Sequence, residues 1–502
     1  MVQSQTTNFE AQLFKAADKL RKNIDAAQYK HVVLGLIFLK YISESFQELY
    51  DQLETDEYSD PEDRDEYIAQ NIFFVPEQAR RSTIQSRAKL PSIGQDLDNA
   101  MEQIEKENTE LRNVLPKVYG RENLDKRSLG ELIDLISNTE LKITSENSKD
   151  LFWRIYEYFL GEFANAEGKK WGQFYTPKSI VKLMVDMVEP YRGRVYDPAS
   201  GSGGMFVMSE KFIHEHSGNL KDITIYGQES NQTTWKLSKM NLAIRNINSK
   251  FVARNSEWSF LKDAHPDLKA DYVLANPPFN QKDRGQKTLE EDARWQYGLP
   301  PKWNANFAWI QHMLYHLAVD GVMATVLANW SLSSQSWGEG DIRQRLIESN
   351  LVECIVALPK QLFYNTWIPA CIRFLRRGRT QQSGNTLFVD ASELGYMVDR
   401  THRAFAEEDI QQIVGTYHNW RDDKDYEDIP GYCKSATLEE IAKHDYVLTP
   451  GRYVGIPPEP DDGIPFEDKM ADLTSQLREQ IDRESELNDE IQKQLEKIWF
   501  HI

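Results

Sequence analysis

The chain has 502 residues, 40% hydrophobic and 11% aromatic, a composition that excludes wholesale disorder and implies more than one packed domain. Its net charge of −19 excludes the broadly basic surface that a solitary nucleic-acid-binding protein presents. Cys354, Cys371 and Cys433 have no metal-type spacing, argue against a disulfide framework and fit a reducing cytoplasm. No apolar signal segment opens the chain. The longest apolar run, His31 to Ile42, is broken by Lys40 and too short to span a bilayer, so no membrane contact is expected and the run reads as a buried helix.

Residues 1–155 read as a helical N-terminal domain. Apolar residues recur at spacings of three and four from Phe9 to about Leu53, and helical patterns return in "SIGQDLDNAMEQIEKENTEL" and "SLGELIDLISNTEL". The acidic stretch "ETDEYSDPEDRDEY" between them reads as a loop. Residues 156–455 change grammar: short β-branched runs such as "RVYDP", "DITIYGQES" and "DYVLANPPF" alternate with helical segments. That alternation predicts an α/β domain with a mostly parallel sheet, whose ligands bind at the C-terminal ends of strands. Residues 456–502 begin with a Pro/Gly/Asp linker and continue as an amphipathic helix. Its apolar stripe is Met470, Leu473, Leu477, Ile481, Leu487, Ile491, Leu495 and Ile498, a face suited to a partner.

Two strand ends carry chemistry. In "VYDPASGSGGMFV", Gly201, Gly203 and Gly204 permit a tight turn and close approach of backbone to a ligand at the start of a helix. Glu229, at the end of the next predicted strand, can accept hydrogen bonds from both hydroxyls of a ribose. Together they predict a Rossmann-like nucleoside site. The spacing is not the dinucleotide fingerprint and no Walker lysine follows, which disfavours NAD and ATP. The second end is "YVLANPPFN". Prolines 277 and 278 cannot continue a strand. They stiffen a turn in which the Asn276 side-chain carbonyl and the Pro277 backbone carbonyl can converge on one NH₂ group, with Phe279 free to stack on its ring. Two acceptors gripping the hydrogens of a conjugated amine expose its lone pair to an electrophile, which is preorganised electrostatic catalysis. No His/Cys/Asp cluster with ligand spacing argues for a metal.

With "GQFYTPKSIVKLM", "DPASGSGGMFV", "GQESNQTTWKLSKMNL", "LANPPFN", "YGLPPKWNANFAWIQHML", "GVMATVLANWSLS", "LPKQLFYNTWIPACIRFL" and "DYVLTPGRYVG", the chain resembles an N6-adenine DNA methyltransferase. Specifically, it resembles the modification subunit of a type I restriction–modification system, over nearly its whole length. That resemblance implies a Rossmann-like S-adenosylmethionine-dependent methyltransferase sheet with an all-α N-terminal domain. It implies that Gln173, Phe174, Tyr175, Thr176, Pro177 and Lys178 wrap the methionine end of S-adenosylmethionine. Thr176 would hold the carboxylate, although Thr176 before Pro177 also reads as an N-cap. Asp197, Ala199, Gly201, Ser202, Gly203 and Gly204 match the motif against the cofactor, Glu229 the ribose-binding acid, and Asn276, Pro277, Pro278 and Phe279 the catalytic motif. Ser200 stands where the family often has Cys. Asn255 and Asp263 are both open as partners of the cofactor's adenine amine.

The resemblance also implies partners: double-stranded DNA with a flipped adenine, a specificity subunit that reads sequence, a second modification subunit, and a restriction subunit in the full complex. A separate reader accounts for the acidic balance. Lys282, Arg284, Lys287, Arg294 and Lys302, after the NPPF turn, are candidates to face DNA. Two other readings stay open: protein-glutamine methylation, since an amide NH₂ poses the same chemical problem, and a catalytically silent cofactor-binding scaffold.

Overall fold

In the computed structural model the described residues are 18, 26–138, 158–159, 176–216, 218–219, 222–255, 259–281, 289–363, 368–456 and 466–497. The chain divides into two units, Met1–Gly455 and Ile456–Ile502.

Helix α1 (Ala26–Glu54) contains the apolar run expected to be buried. Val32, Val33, Leu34, Leu36, Ile37, Phe38 and Leu39 are all inside, so the helix is covered on every side. It packs against α3 (Lys126–Asn138), which packs in turn against α2 (Ile93–Glu107), and these two show one apolar face each. The acidic stretch expected as a loop is a loop only in part. A short helix, Arg64–Ala69, forms inside it because Asp63 caps it by accepting from the Asp65 N–H, with Asp65 and Glu66 in its first turn. The Tyr41 hydroxyl, buried on α1, donates to the Ile244 carbonyl at 2.8 Å, tying the helical region to the α/β region.

The α/β region is built on β1 (Gly193–Asp197), β2 (Ile223–Glu229), β3 (Val252–Arg254), β4 (Ala270–Ala275), β5 (Leu317–Ala328), β6 (Val352–Ala357), β7 (Ala370–Arg376), β8 (Asn385–Asp390), the short ribbon β9 (Tyr396–Met397) with β10 (Arg403–Ala404), and β11 (Cys433–Thr437). The described sheet has nine strands in the order β11-β8-β6-β7-β5-β4-β1-β2-β3. Strands β3, β2, β1, β4 and β5 are mutually parallel. The remainder is mixed: β7 inserts antiparallel between β5 and β6, and β11 lies antiparallel beside β8. An antiparallel neighbour needs no crossover helix, and none is described between β6 and β7.

Side chains alternate between two cores on the two faces of the sheet. Val195, Leu274, Val322, Ala324 and Val326 belong to one; Tyr196, Val273, Ala275, Met323 and Leu327 belong to the other. Four helices matter for the site: α4 (Lys178–Val188), α5 (Gly204–Glu215), α6 (Gln232–Ile244) and α7 (Asn306–Tyr315). The chain runs outward from β1 to β2 and β3, then returns to β4 on the other side of β1. The crevice beyond the C-terminal ends of β1 and β4 is therefore the switch point at which open α/β sheets bind ligands. No helix among the described residues is long and apolar enough to cross a membrane.

In the second unit, α8 (Phe466–Lys497) is a helix as its periodicity predicts. Met470, Leu473, Leu477, Ile481, Leu487 and Ile491 are roughly half exposed within it. Ile498 lies outside the described residues.

Candidate active site

A cavity of about 550 Å³ opens at the switch point. The glycine loop forms one wall. Asp197, the last residue of β1, accepts from the Ala199 N–H at 2.9 Å and turns the chain; Gly201 (φ +53°) and Gly203 (φ +82°) then take left-handed conformations that only glycine adopts freely. Gly203 caps α5. A Cβ on Gly204 would meet nothing within 4 Å, so the helix start faces open space.

Glu229 braces this loop from β2. Its two carboxylate oxygens accept from the Gly201 N–H at 3.0 Å and the Asn231 N–H at 2.8 Å. Each oxygen keeps a second lone pair for a ligand hydroxyl. Burial pushes the Glu229 carboxyl upward, opposed by those N–H groups. Burial, with the nearby Glu229 charge adding to it, also raises Asp197, to about 8. Asn231 caps α6 by accepting from the Thr233 and Thr234 N–H groups. Asn241, on the same helix, donates to the Ser202 carbonyl at 2.8 Å. Its other polar atom, Oδ1, has no partner among the described residues.

The NPPF turn forms the opposite wall. Asn276 Nδ2 donates to Thr176 Oγ1 at 2.9 Å, which leaves Asn276 Oδ1 as the free end of the amide. That oxygen is buried and has no partner among the described residues, and Asn276 lines the cavity. A buried acceptor without a donor costs about 1–3 kcal/mol, so the site is built for a group that supplies one. The Phe279 ring lines the cavity and meets Phe363 edge-on at 6.1 Å. The turn is pinned to α7: Asn280 N–H donates to Asn306 Oδ1, Asn306 Nδ2 returns a bond to Asn280 Oδ1, and the Ala305 N–H donates to the Gln281 carbonyl.

Of the residues singled out from sequence, Thr176, Lys178, Asp197, Ala199, Gly201, Ser202, Gly204, Glu229, Asn276, Pro278 and Phe279 line this one cavity. Pro177 and Pro277 are buried beside it, and Gly203 shapes the loop. Gln173, Phe174 and Tyr175 lie outside the described residues. Thr176 is not an N-cap: Pro177 holds that position without a side-chain bond, and the Thr176 hydroxyl is engaged with Asn276 instead. Sequence reasoning missed Asn231, Asn241, Ser259, Gln281 and Trp309, which also line the cavity. Asn231 was legible as a cap before "QTTW"; Asn241 and Trp309 lie in stretches that carry the resemblance but had no role assigned, and Ser259 and Gln281 lie outside those stretches.

Asn255 and Asp263 do not reach the cavity wall. Asn255 donates to Gln228 Oε1 at 2.7 Å, and Asp263 accepts from His316 Nε2 at 2.8 Å and the His265 N–H at 2.9 Å. They belong to a buried network in which Gln228 donates to the Tyr196 hydroxyl, Tyr196 meets His312 at 3.1 Å, and Arg294 meets the other His312 nitrogen at 3.0 Å. Asp263, His312 and His316 come together within 4.8 Å; the histidines stand one helical turn apart in sequence, and the fold adds Asp263 to them. Their ligand atoms already serve these hydrogen bonds, and a guanidinium stands against His312, so the grouping is a structural clasp. Arg294, a candidate to face DNA, is buried and paired with Asp292 at 2.5 Å, because its guanidinium is held inward by His312 on α7 and the Phe260 carbonyl. Lys302 stays exposed, while Lys282, Arg284 and Lys287 lie outside the described residues.

A switch-point cavity, a glycine loop braced by an acid and an NPPF turn with a free amide oxygen define the class, and the chain belongs to the N-6 DNA methylase family. Residues 147–462 match that family, and residues 9–136 match the HsdM N-terminal domain family. The chain is 50% identical over 414 residues to the Type I restriction enzyme HindI methylase subunit of Haemophilus influenzae, covering 81% of this chain and 93% of that protein. It is 38% identical over 522 residues to the Type I restriction enzyme MjaIX methylase subunit of Methanocaldococcus jannaschii, covering 99% and 92%. These relatives place it among the type I restriction enzyme methylase subunits. The fold matches the solved methyltransferase subunit of a type I restriction–modification system from Streptococcus thermophilus, with a TM-score of 0.74 at 24% identity over 89% of this chain and 99% of that one.

Proposed function

We propose that this subunit catalyses site-specific methylation of adenine N6 in double-stranded DNA, with S-adenosylmethionine as cofactor, in the cytoplasm. The observation that carries the reading is the unpartnered, buried Asn276 Oδ1, oriented into the cavity by Thr176.

Bound S-adenosylmethionine supplies an electrophilic sulfonium methyl group. Glu229 offers its spare lone pairs to the ribose hydroxyls, and the open face of Gly204 leaves room for the cofactor against the loop. Asn276 Oδ1 and the Pro277 carbonyl accept the two N6 hydrogens, which favours a tetrahedral nitrogen with its lone pair free. Phe279 stacks on the base, worth roughly 1–3 kcal/mol. Holding the amine in line with the methyl converts an encounter between two molecules into a reaction within one site.

The target amine lies inside a duplex, so the adenine must be flipped out by something that grips the DNA. With a net charge of −19, the chain relies on a specificity subunit for most phosphate contacts. Residues 1–155 close around the DNA, 156–455 carry the chemistry, and the tail 456–502 docks on the specificity subunit. Two modification subunits serve each specificity subunit, and a restriction subunit joins in the full complex.

The test is transfer of a tritiated methyl group to DNA, with and without the specificity subunit. Label in DNA that depends on the specificity subunit is the expected result. Label in a protein acceptor, or cofactor binding without transfer, refutes the assignment.

A further inference from the structure

The cavity holds orphaned polar atoms that the scheme above does not use. Gln281, two residues beyond Phe279, has both side-chain atoms, Oε1 and Nε2, buried and without a partner among the described residues. Trp309 is 2% exposed, and its indole N–H is likewise buried and unpaired. Both residues line the cavity. They are joined through Ala305, whose backbone N–H donates to the Gln281 backbone carbonyl at 3.0 Å and whose carbonyl accepts from the Trp309 backbone N–H at 2.9 Å. Their positions are thus fixed by the same backbone link that pins the NPPF turn to α7.

Unpaired buried donors are costly, and Gln281 Nε2 and the Trp309 indole N–H, lining the same cavity as the unpaired Asn276 Oδ1, point to a ligand that offers both an NH₂ group and an adjacent acceptor. Adenine has that pattern, since its N6 amine is flanked by the ring nitrogens N1 and N7. Asn276 Oδ1 suits the amine. The donors on Gln281 and Trp309 suit a ring nitrogen. The cofactor is the weaker occupant for them, because Gln281 follows directly from the catalytic turn on β4, whereas the glycine loop and Glu229 stand on β1 and β2.

We propose that Gln281 reads the flipped adenine by donating its Nε2–H to the ring nitrogen beside N6, with the Trp309 indole N–H as a second donor in the same pocket. This rests on the methyl-transfer reading above. A base without an acceptor at that position leaves the donors unpaired, so the contact disfavours it relative to adenine.

The experiment uses the complex with its specificity subunit and a duplex carrying its modified sequence. The target adenine is replaced in turn by 7-deazaadenine and 1-deazaadenine, which lack N7 and N1 respectively. Wild type should lose roughly 10- to 100-fold in kcat/KM on one analogue, which identifies the nitrogen. Gln281→Met keeps the side-chain volume and removes the donor. It should lose a similar factor on adenine and be indifferent to that analogue. Its melting temperature should not fall, because the amide has no partner to lose in the unliganded protein. Trp309→Phe should show a smaller loss in the same direction.

The assignment is overturned if Gln281→Met stays as sensitive to the analogue as wild type. It is also overturned if cofactor affinity, measured by equilibrium dialysis, falls by the same factor as the rate. If wild type methylates adenine but tolerates both analogues, only the Gln281 assignment fails. If wild type transfers nothing to adenine, the methyl-transfer reading fails and takes the assignment with it.

Discussion

Replacing Thr176 with valine tests how the catalytic amide is aimed. The Thr176 hydroxyl is the described partner of Asn276 Nδ2, at 2.9 Å, and the bond leaves Oδ1 as the unpartnered end of an amide that lines the cavity. Valine has nearly the same shape but no acceptor, so the amide loses the contact that distinguishes its two ends. A net hydrogen bond of this kind is worth about 0.5–1.5 kcal/mol, which corresponds to a fall in kcat of roughly 2- to 12-fold. Asn276→Ala removes the acceptor itself and should cost about 100- to 1,000-fold, the range for loss of a preorganised polar group at a reacting centre. Because Thr176 acts through Asn276, the two effects should not add. In the Asn276→Ala background, Thr176→Val should change kcat by less than about twofold. The assay is methyl transfer by the assembled complex, with the cofactor dissociation constant measured in parallel. Equal losses from Thr176→Val in both backgrounds refute the reasoning. A loss confined to cofactor affinity would instead favour the role in carboxylate binding that the resemblance implies for Thr176.

Three further outcomes follow from the structure. Arg294→Leu leaves Asp292 and the Phe260 carbonyl without their buried partner and should destabilise the protein by about 3 kcal/mol, read by urea denaturation; if Arg294 instead served DNA, the variant would keep its stability and lose affinity. Asp197 is raised by burial to about 8, so the stability associated with its neutral form is complete below about pH 3.8 and is lost as pH rises through 8, at roughly 1.4 kcal/mol per pH unit in that window. Asp197→Asn should therefore gain in melting temperature over wild type as pH is taken from 5 to 9, and a gap independent of pH would contradict the cause given. Leu477→Glu with Ile481→Glu puts two charges on the half-exposed stripe of α8 and should abolish co-purification with the specificity subunit while leaving cofactor affinity unchanged; retained co-purification would remove the tail as the docking element.

The sheet and the cavity walls were legible because their signals are local. Strand endings such as "YDP" and "ANPP" mark themselves by residues that cannot continue a ladder, and the glycines of the loop mark positive φ where it occurs, at Gly201 and Gly203. What stayed hidden depends on tertiary contact. Thr176 looked like a cap because Thr-Pro commonly starts a helix, yet a residue 100 positions away claims its hydroxyl. Arg294 looked like a DNA-facing cation because its neighbours are charged, and only the fold shows it buried against His312 and the Phe260 carbonyl. The clasp of Asp263, His312 and His316 joins a loop to two positions one turn apart on and just after α7; the i,i+4 histidine pair stands in the sequence, but the loop carboxylate that meets it is marked by no spacing. Gln281 lies just outside the matching stretches and Trp309 inside one without a role of its own, and their interest lies in atoms left unpaired, which sequence does not display.

The central claim is that a fixed, unpartnered Asn276 carbonyl activates an adenine amine. The direct measurement is nucleoside analysis of DNA after incubation with the assembled complex and methyl-labelled S-adenosylmethionine, for wild type and Asn276→Ala, with cofactor affinity determined for both. The account predicts label in N6-methyladenine for wild type, loss of that label in the variant, and cofactor affinity within a few-fold. Label on another base, or a variant that loses the cofactor along with the product, would contradict it.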